Sequence, residues 1–121
     1  MKIIELYNDK SEASLDIVLC PKTSEKNQYE FYSSSQYFLN KGYDSDIKTS
    51  ERLSKVRAKT IEARDVILFF NSTCFKNDLS LTKILRSEIL KPTQYVDLWN
   101  CKEFTWSCGN VFVGVYWGAA A

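Results

Sequence analysis

The sequence contains no histidine, and this absence removes several kinds of chemistry. Imidazole is the commonest general base, the commonest metal ligand and the usual partner of a catalytic serine or cysteine. No group of other titratable residues forms a recognisable catalytic set, so we expect a protein that is not an enzyme. Proline and glycine are also scarce, at two and four residues, and they form no linker.

Long apolar runs are absent as well. No stretch approaches the roughly 20 apolar residues needed to cross a bilayer, so we expect no membrane partner. The start of the chain, Met1–Leu6, carries charges within a short apolar stretch and has no cleavage site of the secretory type. These features predict a cytoplasmic protein.

The length and composition predict one compact domain. With 121 residues and 45% apolar residues, folding removes about two-thirds of the unfolded chain's surface from water, which is enough for one core. We assign this domain to residues 1–118. The final residues 119–121 are three alanines, which we interpret as a cloning scar and leave out of the fold argument.

The four cysteines, Cys20, Cys74, Cys101 and Cys108, are expected to be free thiols in the cytosol. Cys101 and Cys108 could meet across a short loop, which leaves a disulfide open as an alternative. Their spacing differs from that of a zinc knuckle, and no histidine completes a mixed site. We therefore expect no metal and no cofactor.

The first half of the chain has the pattern of a hairpin followed by helices. Ile3–Tyr7 and Leu15–Cys20 are apolar, strand-length runs separated by polar residues, which is typical of an antiparallel hairpin. We predict a strand at Tyr29–Tyr32 and a helix at Ser34–Lys41, although a helical face over the whole segment, closed by Gly42, is the alternative. A further helix is predicted from Ser50, as its N-cap, to Ala63.

The second half predicts a parallel unit. Val66–Phe70 is an uninterrupted apolar run of the kind found in a strand covered on both faces. A helix capped by Asp78 or Ser80 and stopped by Pro92 follows, and then a strand at Tyr95–Trp99. Cys101–Gly109 is predicted to be a loop, and the alternation after it predicts a last strand at 111–117.

Together these elements predict an α+β or α/β fold. We expect a mixed β-sheet in a single domain, with an N-terminal antiparallel hairpin, a central β-α-β unit and two to three packed helices.

Charge is distributed unevenly along a chain whose net charge is only +1. Residues 1–46 contain five basic and eight acidic groups, whereas residues 48–64 contain six basic and two acidic groups. In the predicted helix, Arg52, Lys55 and Lys59 flank one side of the apolar stripe. A solvated helix face explains this pattern, and a docking surface for an anionic partner is the functional interpretation. Nucleic acid is the weaker candidate partner, because only four of the 16 basic residues are arginine.

Aromatic residues are concentrated near the C-terminus. Phe104 and Trp106 fall in the predicted loop, where burial is harder to arrange than in a strand. Tryptophan often anchors protein interfaces, so we consider these two residues candidate anchors beside the alternative that they are core.

Size and separated charge make the chain similar to small cytosolic inhibitors such as immunity proteins, although no motif carries this analogy. We therefore expect a protein-binding inhibitor whose partner is a toxin or another enzyme. A basic partner would be attracted by the acidic residues Asp9, Glu12 and Asp16, and an acidic partner by Arg52, Lys55 and Lys59.

The alternative function is binding of a small molecule or nucleotide. If Val66–Phe70 is a parallel strand, the loop after it leaves the carboxyl end of the sheet, where ligands of such folds bind. The candidate ligand-binding residues in this loop are Asn71, Ser72, Thr73 and Lys76. The loop has no glycine, so it lacks the close backbone approach of a phosphate-binding loop.

Overall fold

The computed structural model describes residues 1–39 and 46–120, without the side chains of residues 46–48. The chain forms a six-stranded sheet with helices on both faces. The strands are β1 (Lys2–Asn8), β2 (Ala13–Pro21), β3 (Lys59–Thr60), β4 (Leu90–Leu98), β5 (Cys101–Cys108) and β6 (Val111–Ala119). The helices are α1 (Gln28–Leu39), α2 (Asp46–Ser54), α3 (Ala63–Asn71) and α4 (Leu79–Arg86), and a short 3-10 turn covers Lys22–Ser24.

The sheet is antiparallel at every strand pair, in the order β1-β2-β6-β5-β4-β3. The α+β fold class and the N-terminal hairpin are thereby confirmed. The predicted parallel β-α-β unit is wrong, because Val66–Phe70 lies in helix α3. Val66 and Phe70, four residues apart, are buried, whereas Leu68 between them is 66% exposed, which a strand covered on both faces would not allow.

Each face of the sheet has its own core. On one face, Leu15, Val115 and Trp106 pack against Val66 and Phe70 of α3, and Leu81 of α4 joins the same cluster. On the other face, residues from β2, β4 and β6 pack against α1 and α2, and this cluster consists of Val18, Cys20, Tyr95, Phe112, Tyr116, Phe31, Tyr32 and Leu53. Within the described residues, no helix has the length and apolar character that crossing a membrane requires.

Two helices, α4 and α1, begin next to residues whose side chains cap the first turn. The Asp78 side chain accepts the backbone N–H of Leu81 at 2.9 Å, which confirms Asp78 as the N-cap of α4. The Asn27 side chain accepts the N–H of Glu30 at 2.9 Å at the start of α1. The predicted strand Tyr29–Tyr32 is wrong, because the whole segment is helical and buries Phe31, Tyr32, Ser35 and Gln36 on one face.

Three further boundaries differ from the prediction. The helix predicted over Ser50–Ala63 ends at Ser54, and Ser50 lies inside it and does not cap it. Pro92 lies within β4, six residues after the end of α4, so it does not stop that helix. Ala119, which we left out of the fold argument, belongs to β6, and Ala120 donates its N–H to the Glu12 carbonyl at 3.0 Å. The predicted cap Gly42 lies outside the described residues.

Candidate functional site

A cleft with a volume of about 490 Å³ lies at the β4 edge of the sheet. Its floor and one wall come from β4 and β5, and the opposite wall comes from the end of α2 and the segment that leads to β3. The apolar residues that line it are Tyr32, Leu53, Val56, Tyr95, Val96 and Leu98. Four basic residues, Arg52, Lys55, Arg57 and Lys59, line the same space and are exposed. We call this site the basic cleft.

The floor of the basic cleft is held by two stacked tyrosines. The rings of Tyr32 and Tyr95 are nearly parallel, with centroids 3.8 Å apart. The Tyr32 hydroxyl donates to the Glu103 carboxylate at 2.6 Å, and the Tyr95 hydroxyl lies 2.8 Å from the Thr105 hydroxyl. Both hydroxyl groups are therefore hydrogen-bonded inside the protein, and the two rings, at 1% and 5% exposure, belong to the core beneath the cleft.

Glu103 is a partly buried carboxyl group that lines the cleft. Burial raises its pKa, while the hydrogen bond from Tyr32 and the charge of Arg52 act in the opposite direction. Burial, followed by the negative charge of Glu103, raises the pKa of the neighbouring Cys101 thiol to about 11. A thiol with that pKa is protonated at neutral pH, so Cys101 is not an activated nucleophile.

The rim of the cleft carries positive charge, and three of its four cations have no ion-pair partner among the described residues. Among the described residues, no carboxylate lies within ion-pair distance of Lys55, Arg57 or Lys59. Asp97, an exposed carboxylate that also lines the cleft, pairs with Lys102, and this bond holds its pKa below the ordinary value. Arg52 is engaged, because it donates to the Gln36 side chain at 3.1 Å. The cleft can therefore attract a group with negative charge.

The structure brings the three predicted basic residues together in an unexpected way. Arg52 lies in α2, Lys55 follows its last residue, and Lys59 lies in β3. They line one cleft because the chain turns after Ser54, and not because they share a helix face. Arg57, which was not among the three predicted residues, lines the same cleft.

The prediction that Phe104 and Trp106 are exposed interface anchors is wrong. Both belong to β5, at 2% and 0% exposure, and both lie in the core on the α3 and α4 side of the sheet. Of the exposed aromatic residues in the described ranges, Trp99 is the most exposed, at 70%, and it lies in the turn between β4 and β5, next to Leu98 at 56%. Had Cys101–Cys108 been recognised as a strand from its β-forming residues, Trp99 would have fallen in a hairpin turn.

The acidic residues do not form one surface. Asp9 and Glu12 lie in the turn between β1 and β2, whereas Asp16 lies in β2 opposite Glu5, three residue pairs or about 10 Å from the turn. Burial and the charge of Glu5 raise the pKa of Asp16. These residues occupy the sheet edge opposite the basic cleft.

The loop proposed for ligand binding follows a helix. Because Asn71 ends α3, no parallel strand delivers this loop to a sheet edge, and the premise of the prediction is wrong. The Ser72 hydroxyl donates to the Phe69 carbonyl at 2.5 Å and the buried Thr73 hydroxyl to the Phe70 carbonyl at 2.7 Å. Both hydroxyls therefore close the end of the helix, while Lys76 is exposed.

Cys101 and Cys108 lie at opposite ends of β5, about 23 Å apart at the usual rise per residue, so they cannot form a disulfide with each other. Residues 1–39 and 46–120 contain no group of three or more cysteine or carboxylate side chains arranged to hold a metal ion.

Comparisons with protein-family models, with curated protein sequences and with solved structures found no match to this chain. The geometry of the basic cleft and of Trp99 is therefore the basis for a functional proposal.

Proposed function

We propose that this protein binds another protein and inhibits it, in the manner of an immunity protein, and that the basic cleft and Trp99 form the contact surface. The observation that carries the proposal is the exposed pair Leu98 and Trp99 at the end of an apolar cleft rimmed by cations. Tryptophan and arginine are the residues most often found as energetic anchors of protein interfaces. Exposed apolar side chains beside a polar rim are also typical of such surfaces.

The charge of the rim supports an acidic partner. Lys55, Arg57 and Lys59 would gain ion pairs with incoming carboxylates without first breaking an ion pair among the described residues. The acidic residues of the first third of the chain are a weaker contact surface, because Asp16 is partly buried and distant from Asp9. An acidic region of the partner, carrying an apolar side chain that enters the cleft, fits both the walls and the rim.

The test is quantitative capture by the tagged full chain from a lysate of its source, at moderate salt. The cleft variant is K55E combined with R57E. The matched control, K76E combined with K83E, reverses two exposed charges in the region after α3 and in α4. We expect one partner to be recovered by the parent and the control and lost with the cleft variant.

The recovered partner is then purified and titrated. We expect W99A to weaken its binding about 30-fold, which corresponds to roughly 2 kcal/mol for an anchor residue. Stoichiometric addition of the parent chain should lower the partner's activity. Equal affinity of the parent, the cleft variant and W99A would contradict the proposed surface, and an unchanged partner activity would contradict inhibition.

A small anionic molecule is the second candidate ligand. The cleft volume of about 490 Å³ falls within the range of small-molecule sites, and Val56, Val96 and Leu98 give the cleft apolar walls. A panel of nucleotides and aromatic carboxylates at millimolar concentration is screened by thermal unfolding. A rise in Tm that is lost in R57E but kept in K76E would favour this function, and no rise with any compound would remove it.

A further inference from the structure

The outer edge of β4 is paired along only part of its length. β3 pairs with β4 at two positions, Lys59 with Gln94 and Thr60 with Thr93. Within the described ranges, no other strand pairs with this edge of β4 between Tyr95 and Leu98. These four residues extend over about 13 Å of strand. Their outward backbone groups form a sheet edge along the basic cleft that no strand of the described residues covers.

The edge is open because the chain between α2 and β3 uses its backbone groups locally. The N–H of Lys55 donates to the Arg52 carbonyl at 3.1 Å, and the N–H of Val56 donates to the Leu53 carbonyl at 3.2 Å. The Arg57 guanidinium donates to the Val56 carbonyl at 3.2 Å. This segment therefore lines the cleft opposite β4 without pairing with it.

A bulge shapes the same edge. The register between β4 and β5 shifts between Gln94 and Val96, so that Tyr95 is the extra residue. The Tyr95 ring enters the core on the α1 side, where it stacks on Tyr32. Val96, Asp97 and Leu98 then continue in regular pairing with β5 up to the turn that carries Trp99. This edge is thus a regular strand that faces cations across the cleft; it also carries the Asp97 carboxylate, and the Val96 carbonyl accepts from the Gln94 side chain at 3.4 Å.

We infer that an extended acidic segment of the partner protein adds to the sheet against Val96–Leu98, in line with β3. This inference rests on the proposed function, since it specifies how the basic cleft binds a protein. Main-chain hydrogen bonds would supply affinity, as in other cases of strand addition. Because side chains of a strand alternate, one set would contact Val56 and Leu53 while carboxylates of the segment reach Lys55, Arg57 and Lys59.

The probe is a capped nine-residue peptide in which glutamate and valine alternate. Its binding to the full chain is measured by calorimetry and by NMR of backbone amides. We expect binding that is weakened at least tenfold by K55E combined with R57E and unchanged by K76E combined with K83E. A matched peptide with lysine in place of glutamate should bind at least tenfold more weakly.

Strand addition is tested by methylating the peptide's backbone nitrogens one at a time. An added strand directs alternate N–H groups toward its neighbour, so methylation should weaken binding at least tenfold at every second central position and less than threefold at the others. Outward amides within Val96–Leu98 should become protected from hydrogen exchange. Uniform effects of methylation, or protection at Lys2–Asn8 of β1 instead, would overturn strand addition at β4.

The two proposals fail in different ways. A captured partner that needs the basic cleft, together with no peptide binding or with uniform methylation effects, leaves the proposed function intact and overturns strand addition. Equal binding of the glutamate and lysine peptides overturns the acidic character of the segment. If neither the captured partner nor the peptide depends on Lys55 and Arg57, both proposals are wrong.

Discussion

Gly114 of β6 provides the space that Tyr116 occupies over the sheet. A Cβ atom at position 114 would lie 2.5 Å from the Tyr116 hydroxyl oxygen, closer than such atoms pack in proteins. Tyr116 is 5% exposed, and its hydroxyl is hydrogen-bonded to the buried Ser35 hydroxyl of α1. The ring therefore has little freedom to move away.

We expect G114A to lower the free energy of unfolding by about 1–3 kcal/mol, the usual cost of overpacking. Gly118 of the same strand is the matched control, because the nearest atom to an added Cβ there is 3.7 Å away. Denaturant unfolding of both variants checks the prediction. A loss of stability in G118A as large as that in G114A would contradict the steric explanation.

Glu103 makes stability depend on pH in a defined direction. Its pKa is raised above the ordinary value of 4.5 in the folded state, mainly by burial. The folded state then binds the proton more tightly than the unfolded chain, so this contribution to stability is fully present below pH 4.5 and is lost as pH rises through the raised pKa.

E103Q removes the charge and keeps an oxygen that can accept the Tyr32 hydroxyl. We therefore expect E103Q to unfold at a higher temperature than the parent at pH 7–8 and at nearly the same temperature at pH 4. E30Q, at an exposed position of α1, controls for the loss of one negative charge. The unfolding temperatures of the parent and E103Q, measured from pH 4 to pH 8, test this prediction. Parallel curves of unfolding temperature against pH would refute it.

At the scale of elements, end signals and apolar runs each succeeded in one place and failed in another: Asp78 caps α4, whereas Ser50 and Pro92 do not mark helix ends. The cap of α4 was predictable because Asp78 can bond an amide of the first turn whatever the rest of the fold does. The run Val66–Phe70 was ambiguous, since a short apolar segment without alternation suits a buried strand as well as a helix. Whether this segment forms a strand or a helix depends on which of its side chains pack against the sheet, and that packing is set by the tertiary fold.

The cap of α4 is testable by mutation. We expect D78A to lower the free energy of unfolding by about 1 kcal/mol, because the N–H of Leu81 loses its acceptor. N77A, at the preceding exposed position, should change it by less than about 0.5 kcal/mol. Denaturant unfolding distinguishes the two, and equal effects would show that Asp78 does not act as a cap.

At the scale of the molecule, the sheet order separates the charges. β1 and β2 carry Glu5, Asp9, Glu12 and Asp16 at one edge, whereas β3 and β4 border the basic cleft at the other, about 24 Å across five strand spacings. Such a separation would orient the acidic partner that we propose before contact, because opposite charges attract beyond the range of packing.

Association with the captured partner should therefore be sensitive to salt. We expect the association rate constant to fall about tenfold between 0.05 and 0.5 M salt, since mobile ions screen charges at the cleft rim. Stopped-flow measurements should show a flatter dependence for K55E combined with R57E, and the parent's slope for K76E combined with K83E. The same slope for all three proteins would show that charges outside the cleft rim cause the attraction.

Local patterns sufficed for one domain of mixed α and β structure, the first hairpin, the last strand and two candidate caps of α4, of which Asp78 is the cap, because alternation, capping and turn chemistry act between neighbours in the chain. They also identified the basic residues Arg52, Lys55 and Lys59 as candidates for a common docking surface. The antiparallel order of the sheet, the burial of Phe104 and Trp106, the exposure of Trp99 and the cleft itself depended on the tertiary fold. Burial and charge pairing arise between segments far apart in the chain, and which segments meet is decided by how both faces of the sheet are covered.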